Sequence, residues 1–438
     1  MHPIDRLFPV SVGRGPRGEL TLAGQDVAAL AQNWGTPLYL YDGATLRQEV
    51  QTLQTLLKTQ YPGVWEITYA AKAYFALNFA RKLHEIGLGV DVVSLGELYN
   101  ARQAGFQGER VHLHGNNKSE DELMAALKFG AHAIVVDSLE ELAFLESITA
   151  REQIQAAIWL RITPGVNVAT HPSIQTGHAA SKFGFLMEDG QAAEGIHRAR
   201  ASRWLKLIGL HAHLGSQLFD AEPYREAASR LTELAEGVDY IPAEISLGGG
   251  WGVPYTLDDA ENPLEPWVSA AAGAVRTEFE RRNWPLPKLV LEPGRRIAAR
   301  AGVAVYTVGT SKTASDGSTI VALDGGMADN PRPALYQSRY TAVRVDRPDA
   351  EPVRETTLVG KYCESGDQLI RKIDMPELKR GDRVAIPVSG AYQISMSSNY
   401  NLAQRPAVLW LDEGRVEVLQ AREKPGEMRY WSEASPAE

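Results

Sequence analysis

Lys72 follows the β-rich run Ile67-Thr68-Tyr69-Ala70, with Ala71 and Ala73 on either side and Tyr74 and Phe75 behind. An ammonium packed at a strand end loses its hydration, so the setting predicts a desolvated amine able to condense with an aldehyde. Farther on, "EISLGGG" ends in Gly248, Gly249 and Gly250, and "KLVLEPGRR" carries Glu292, Gly294 and Arg295. A glycine triplet after a strand is either a cradle of bare N–H groups for a phosphate or a turn that needs positive φ. Arg295 offers a planar fork for phosphate or carboxylate. Glu292 taken alone reads as half of a surface ion pair. A condensing lysine, a phosphate cradle and a carboxylate to hold a pyridinium proton are together what pyridoxal phosphate (PLP) requires.

Those groups have to be brought to one place. From residue 66 short apolar runs alternate with amphipathic stretches. The runs cover 67–72, 89–94, 111–116, 133–138, 157–164, 207–215, 244–250 and 288–294. "SLGELYNARQAG", "SEDELMAALKFG" and "SLEELAFLESI" between them have helical periodicity, the last two with acidic starts. Eight strands, each followed by a helix, is the count of a (β/α)8 TIM barrel. The alternative, an open doubly wound sheet, rarely takes eight parallel strands in a row. In a barrel the C-terminal strand ends form the mouth, which would gather Lys72, Asp91, Ser94, His114, Arg161, His211, His213, Ser216, the glycine triplet and Glu292 to Arg295. After Arg300 short alternating strands and turns replace the helices, which predicts an all-β domain, a sandwich or small barrel. The expected fold class is α/β: a barrel over residues 37–300 and a β domain over 301–438 that also takes 1–36.

The chain has 438 residues, 44% of them hydrophobic, enough for two full cores. A net charge of −9 with interspersed signs argues against a nucleic-acid or anionic-membrane surface. The one cysteine, Cys363, forbids an internal disulfide and suits a reducing compartment. No apolar run reaches the roughly 18 residues of a membrane span, and "MHPIDRLFPVSVGRG" lacks the apolar core of a signal peptide. The expected location is the cytoplasm. His112 with His114, and His211 with His213, share strand faces at i, i+2 spacing. The sequence shows no third ligand, so no metal is expected.

"YAAKAY", "GVDVVSLGEL", "HGNNKS", "THPSIQTG", "HAHLGSQ", "GGG", "EPGR", "RPALY", "CESGD" and "GAY" follow the order of motifs in fold-type III PLP-dependent decarboxylases. The chain resembles that family over residues 37–403. "THPSIQTG", "RPALY" and "CESGD" resemble its diaminopimelate decarboxylase branch rather than the ornithine or arginine branches. The resemblance implies PLP held covalently by Lys72, with His213 against its ring and Glu292 at its ring nitrogen. Ser216, Gly248, Gly249, Gly250, Gly294, Arg295 and Tyr392 would surround its phosphate. It also implies a homodimer with shared active sites, in which Cys363, the acid near the substrate α-carbon, and Glu364 come from the other subunit. Arg295, Arg332, Tyr336, Glu364 and Tyr392 would bind the amino-acid substrate, and "DGGMADN" (324–330) reads as the turn into Arg332.

The implied reaction is decarboxylation of meso-2,6-diaminopimelate to L-lysine and CO2. The alternatives are a decarboxylase of D-lysine, D-ornithine or a carrier-tethered amino acid, and a non-catalytic PLP-binding homologue. The last would be expected to lack Lys72 or Cys363. A racemase of the same fold would place arginine, not Glu292, at the ring nitrogen. Four features depart from the family pattern. Tyr74 stands where asparagine is usual, Trp251 follows the triplet, Lys361 and Tyr362 precede Cys363, and His178 lies before "SKFG". These positions are expected to line the cofactor's surroundings or the substrate entrance.

Overall fold

The computed structural model describes residues 2–166 and 182–426; the "THPSIQTG" motif and His178 lie outside the described residues. The chain divides into two compact units. One comprises Glu49–Gly252 and Asn262–Arg296, the other Met1–Gln48, Val253–Glu261 and Ile297–Glu438.

The first unit is a closed barrel of eight parallel strands: β1 (Trp65–Ala70), β2 (Gly89–Val92), β3 (Val111–Leu113), β4 (Ala133–Val136), β5 (Ala156–Thr163), β6 (Leu205–His211), β7 (Glu244–Ser246) and β8 (Lys288–Leu291). β8 pairs with β1 and β4 with β5, which closes the ring. Serines start the helices behind three of these strands. The Ser94, Ser119 and Ser138 side chains accept the N–H groups of Glu97, Glu122 and Glu141, capping Leu95–Ala104, Glu120–Phe129 and Leu139–Glu152. Each cap satisfies a donor that the first turn would leave bare, and the S-x-x-E spacing is its sequence signature.

Strand register decides which side chains share the barrel interior. Asp91 pairs with His112, His211 with Ser246, and Ser246 with Val290. The middle of the barrel is aromatic and polar. The rings of His112 and Trp159 lie 4.4 Å apart, and Trp159 Nε1 donates to Glu244 Oε2 at 2.8 Å. His132 Nε2 stands 2.9 Å from both oxygens of the same carboxylate. Burial works against an ionised Glu244, but His132 outweighs it and holds the carboxyl below its usual range.

In the second unit one long strand, Gly302–Thr313, serves two neighbourhoods. Its first half pairs with Leu38–Asp42 and Arg383–Ile386, its second half with Thr319–Leu323. The register shifts between Val308 and Ser311, a bulge of the kind that bends a strand. The sequence reading drew the domain boundaries at 36/37 and 300/301. Leu38–Asp42 instead lies between Gly302–Thr313 and Ala407–Asp412, so this unit extends to Gln48.

Candidate active site

All eight barrel strands end earlier than their apolar runs suggest; Lys72, Ser94, His114, His213, Ser216 and Glu292 stand in the turns beyond, while Asp91, Arg161 and His211 lie on their strands. β1 stops at Ala70, and Lys72 occupies a one-turn 3-10 helix, Ala71–Ala73. Lys72 is exposed, which corrects the expectation of a desolvated amine. The tight turn buries Ala71 and Ala73 and leaves the lysine side chain accessible at the barrel mouth. Its charge acts on Asp91, Glu97 and His213, which therefore surround it.

Glu292 follows β8 and is buried, which corrects its reading as a surface ion-pair partner. Oε2 lies 3.0 Å from His211 Nε2, Oε1 accepts from Ser246 Oγ at 2.5 Å, and His114 Nε2 is 3.9 Å away. Burial alone would raise its pKa. His211 and His114, with the hydrogen bonds from His211 and Ser246, outweigh that and hold the carboxyl well below the usual range. Asp91 differs. It is buried, 3.4 Å from His112 Nδ1 and 3.6 Å from His114 Nε2, and neither oxygen has a hydrogen bond among the described residues. Burial, then the nearby charge of Glu292, pushes its pKa well above the usual range. His213 is half-buried, and desolvation, then Lys72, keeps its imidazole neutral.

The glycine triplet is a turn and a close approach at once. Gly248 and Gly250 have φ of +72° and +103°. A Cβ on Gly248 would lie 2.6 Å from His213 Nδ1, and one on Gly249 2.1 Å from the Glu292 carbonyl oxygen. Among the described residues no acceptor takes the N–H of Gly249 or Gly250. Beside them Arg295 Nη2 donates to Ser216 Oγ at 2.9 Å. Gly294 leaves room for Ala70 and Ala73, whose Cβ atoms would both lie 3.1 Å from a side chain there.

The other expected site residues belong to the second unit. Arg332 opens the short helix Arg332–Tyr336 and is buried. It donates to Tyr255 Oη at 2.8 Å and Ser338 Oγ at 3.1 Å, and no carboxylate among the described residues pairs with it. Its guanidinium lies 6.0 Å from the centre of the Tyr392 ring. Tyr336 is half-buried. Cys363 is exposed, with its N–H on Asn401 Oδ1 at 3.2 Å, and Glu364 accepts from Tyr400 Oη at 2.6 Å.

The pyridoxal-dependent decarboxylase family, through its pyridoxal binding domain, matches residues 47–299. The chain is 40% identical over 415 residues to diaminopimelate decarboxylase of Bacillus subtilis (strain 168), covering 93% of each chain. The chain belongs to the pyridoxal-dependent decarboxylases. The decarboxylase is also 38% identical to the diaminopimelate decarboxylase of Synechocystis sp., over 96% of this chain and 92% of the relative. Among solved structures it resembles diaminopimelate decarboxylase of M. jannaschii in complex with L-lysine, with a TM-score of 0.89, 29% identity, and 95% and 96% of the two chains covered. The Helicobacter pylori enzyme with L-lysine gives a TM-score of 0.82 and 32% identity over 90% and 96% of the chains.

The decarboxylase uses PLP, and its barrel residues fit that group. An exposed amine, an ionised carboxylate, a neutral imidazole and two glycine N–H groups with no acceptor among the described residues stand on the strand-end turns. His114, His211 and Glu292 have ligand atoms within 4.8 Å of one another, so the third ligand missing from the sequence reading exists. His211 Nε2 and both Glu292 oxygens are already engaged with one another and with Ser246.

Two of the family departures lie elsewhere than expected. Tyr74 and Trp251 are buried, packed on Phe79 at 5.0 Å and Trp267 at 6.2 Å between ring centres, so they belong to the core. Ser246 was missed, although its place two residues after Glu244 on an alternating strand put it on the inner face. Tyr255 was missed because nothing in "GVPYTLDD" announces a partner far along the chain.

Proposed function

We propose that this decarboxylase acts on meso-2,6-diaminopimelate, releasing CO2 and L-lysine. The observation that carries the choice of substrate is Arg332. A buried guanidinium that donates to a phenol, a hydroxyl and, at 3.5 Å, the Ala391 carbonyl, with no carboxylate among the described residues, is suited to an anionic group from outside the chain. The distal carboxylate of diaminopimelate is such a group, and a monocarboxylate diamino acid would leave the arginine unpaired. The full-length likeness to curated diaminopimelate decarboxylases supports the same substrate.

PLP would be held covalently by Lys72 and flanked by His213. Ser216, Gly248, the N–H groups of Gly249 and Gly250, Gly294, Arg295 and Tyr392 would surround and hold its phosphate, the Gly248 N–H itself donating to Ser246 Oγ at 3.1 Å. When bound, PLP supplies an aldehyde that condenses with the substrate amine and a ring that accepts the electron pair left as CO2 departs. Glu292, held ionised, would pair with the ring nitrogen and favour its protonated form. Arg332, Arg295, Tyr336 and Tyr392 orient the substrate. Cys363 Sγ returns a proton to the α-carbon, and Glu364 takes the distal ammonium. Cys363 and Glu364 reach this mouth from the second subunit of a homodimer in the cytoplasm.

Arg332→Gln is expected to raise KM for meso-diaminopimelate about a hundredfold, the cost of stranding a buried charge. An unchanged KM would remove Arg332 from the substrate site.

A further inference from the structure

Two loops of the second unit carry residues proposed to meet the substrate, and one buried carboxylate joins them. The loop 360–367 closes at its neck, where the Gly360 N–H donates to the Asp367 carbonyl at 2.9 Å, and it bears Cys363. The turn 324–331 leads through Gly325, Gly326 and Met327 to Arg332. Asp367, only 3% exposed, accepts the Met327 N–H at Oδ1 (2.6 Å) and the Tyr362 N–H at Oδ2 (2.8 Å). One oxygen therefore serves each loop.

A Cβ on Gly326 would lie 2.4 Å from Asp367 Oδ1, and one on Gly360 2.1 Å from Oδ2. Neither glycine has positive φ. Their missing side chains make room for the carboxylate, not for an unusual backbone. On the other side of the turn, Asp329 Oδ1 accepts the Gly326 N–H at 2.8 Å, and its Oδ2 accepts the hydroxyls of Tyr39 at 3.0 Å and Tyr306 at 2.5 Å. Successive N–H groups, Gly326 and Met327, thus donate to two different buried carboxylates. One is rooted in the core of the β unit and the other at the neck of the Cys363 loop. A buried carboxylate is costly unless its oxygens are satisfied, so both turns are held to the geometry that satisfies it.

We infer that Asp367 is a positioning residue that holds the Cys363 loop and the Arg332 turn of one chain in one register; because in the proposed homodimer that Cys363 serves the partner's site and that Arg332 its own, it couples proton delivery at one site to recognition of the distal carboxylate at the other. The inference deepens the proposed function and rests on it for the roles of Cys363 and Arg332.

Holoenzyme carrying Asp367→Asn, and separately Gly360→Ala, is compared with wild type in kcat and KM for meso-diaminopimelate, in melting temperature, and in the rate at which iodoacetamide alkylates Cys363, the chain's single cysteine. Asparagine keeps one acceptor oxygen and loses the other; the alanine methyl displaces the carboxylate from the neck. Each variant is expected to raise KM and lower kcat by about tenfold and to change the alkylation rate by about threefold or more, the scale of one lost charge-assisted hydrogen bond. Folded variants with wild-type KM and alkylation rate would overturn the inference, as would effects that scale only with loss of folded protein. If Asp367→Asn does not fold, Gly360→Ala decides. The alkylation rate needs no substrate, so it tests the coupling even if another amino acid proves to be the one decarboxylated.

Discussion

Glu292 and Asp91 are both buried carboxyls at the barrel mouth, and their surroundings push them apart. Glu292 receives His211 and Ser246 and is held toward its ionised form; Asp91 receives no hydrogen bond from the described residues and is pushed toward its protonated form. Glu292→Gln is therefore expected to lower kcat/KM by about a hundredfold or more, as loss of a placed charge does. Asp91→Asn exchanges one neutral group for another and should cost less than about tenfold. Steady-state decarboxylation assays check both, and the reverse ranking would refute the assignment. Asp329 titrates within reach of ordinary buffers. Burial, against the hydrogen bonds it accepts, raises it from 3.8 to about 6. The folded chain holds this proton more tightly than the unfolded one, so the contribution is complete below pH 3.8 and lost as pH rises through about 6. It amounts to about 3 kcal/mol, and Asp329→Asn should flatten the fall of melting temperature over that window. At this scale the sequence made the residue types legible, because a lysine, a glycine triplet and "EPGR" at strand ends imply their chemistry. The exposure of Lys72 was not legible, since it depends on the strand stopping two residues earlier.

The helix starts were readable as elements because serine followed by glutamate three residues on is a local signal, and Ser94, Ser119 and Ser138 all act on it. The packing between elements was not. Lys118 shows why. It sits in "HGNNKS" with nothing to distinguish it from a surface lysine. Yet it is buried, and its Nζ donates to the carbonyls of Gly115 and Val135, both at 2.7 Å, and to Glu141 Oε1 at 2.6 Å. One ammonium thus pins the turn after β3 to β4 and to the helix Leu139–Glu152. Lys118→Ala strands Glu141 in the interior and is expected to cost about 3–5 kcal/mol in urea unfolding. A loss below about 1 kcal/mol would place the pair among ordinary surface bridges. The domain boundary was misplaced for a related reason: Leu38–Asp42 reads as a strand, but its partners lie beyond residue 300.

For the whole molecule, the proposed site takes Lys72 from one chain and Cys363 from a second. Lys72→Ala and Cys363→Ala proteins should each be inactive, and mixing them with subunit exchange should restore about a quarter of wild-type activity, because half the dimers are mixed and each has one intact site. No recovery after proven exchange would put Cys363 and Lys72 of one site on the same chain. The α/β class and the barrel were legible in the alternation of eight strands with helices, and the second unit in the change of texture after Arg300. The central claim is the choice of amino acid, and the most direct measurement is CO2 release by the holoenzyme from meso-diaminopimelate, D-lysine, D-ornithine and L-ornithine. A kcat/KM for meso-diaminopimelate about a hundredfold or more above the other three is expected; no release from meso-diaminopimelate, with release from one of the monocarboxylates, would contradict it.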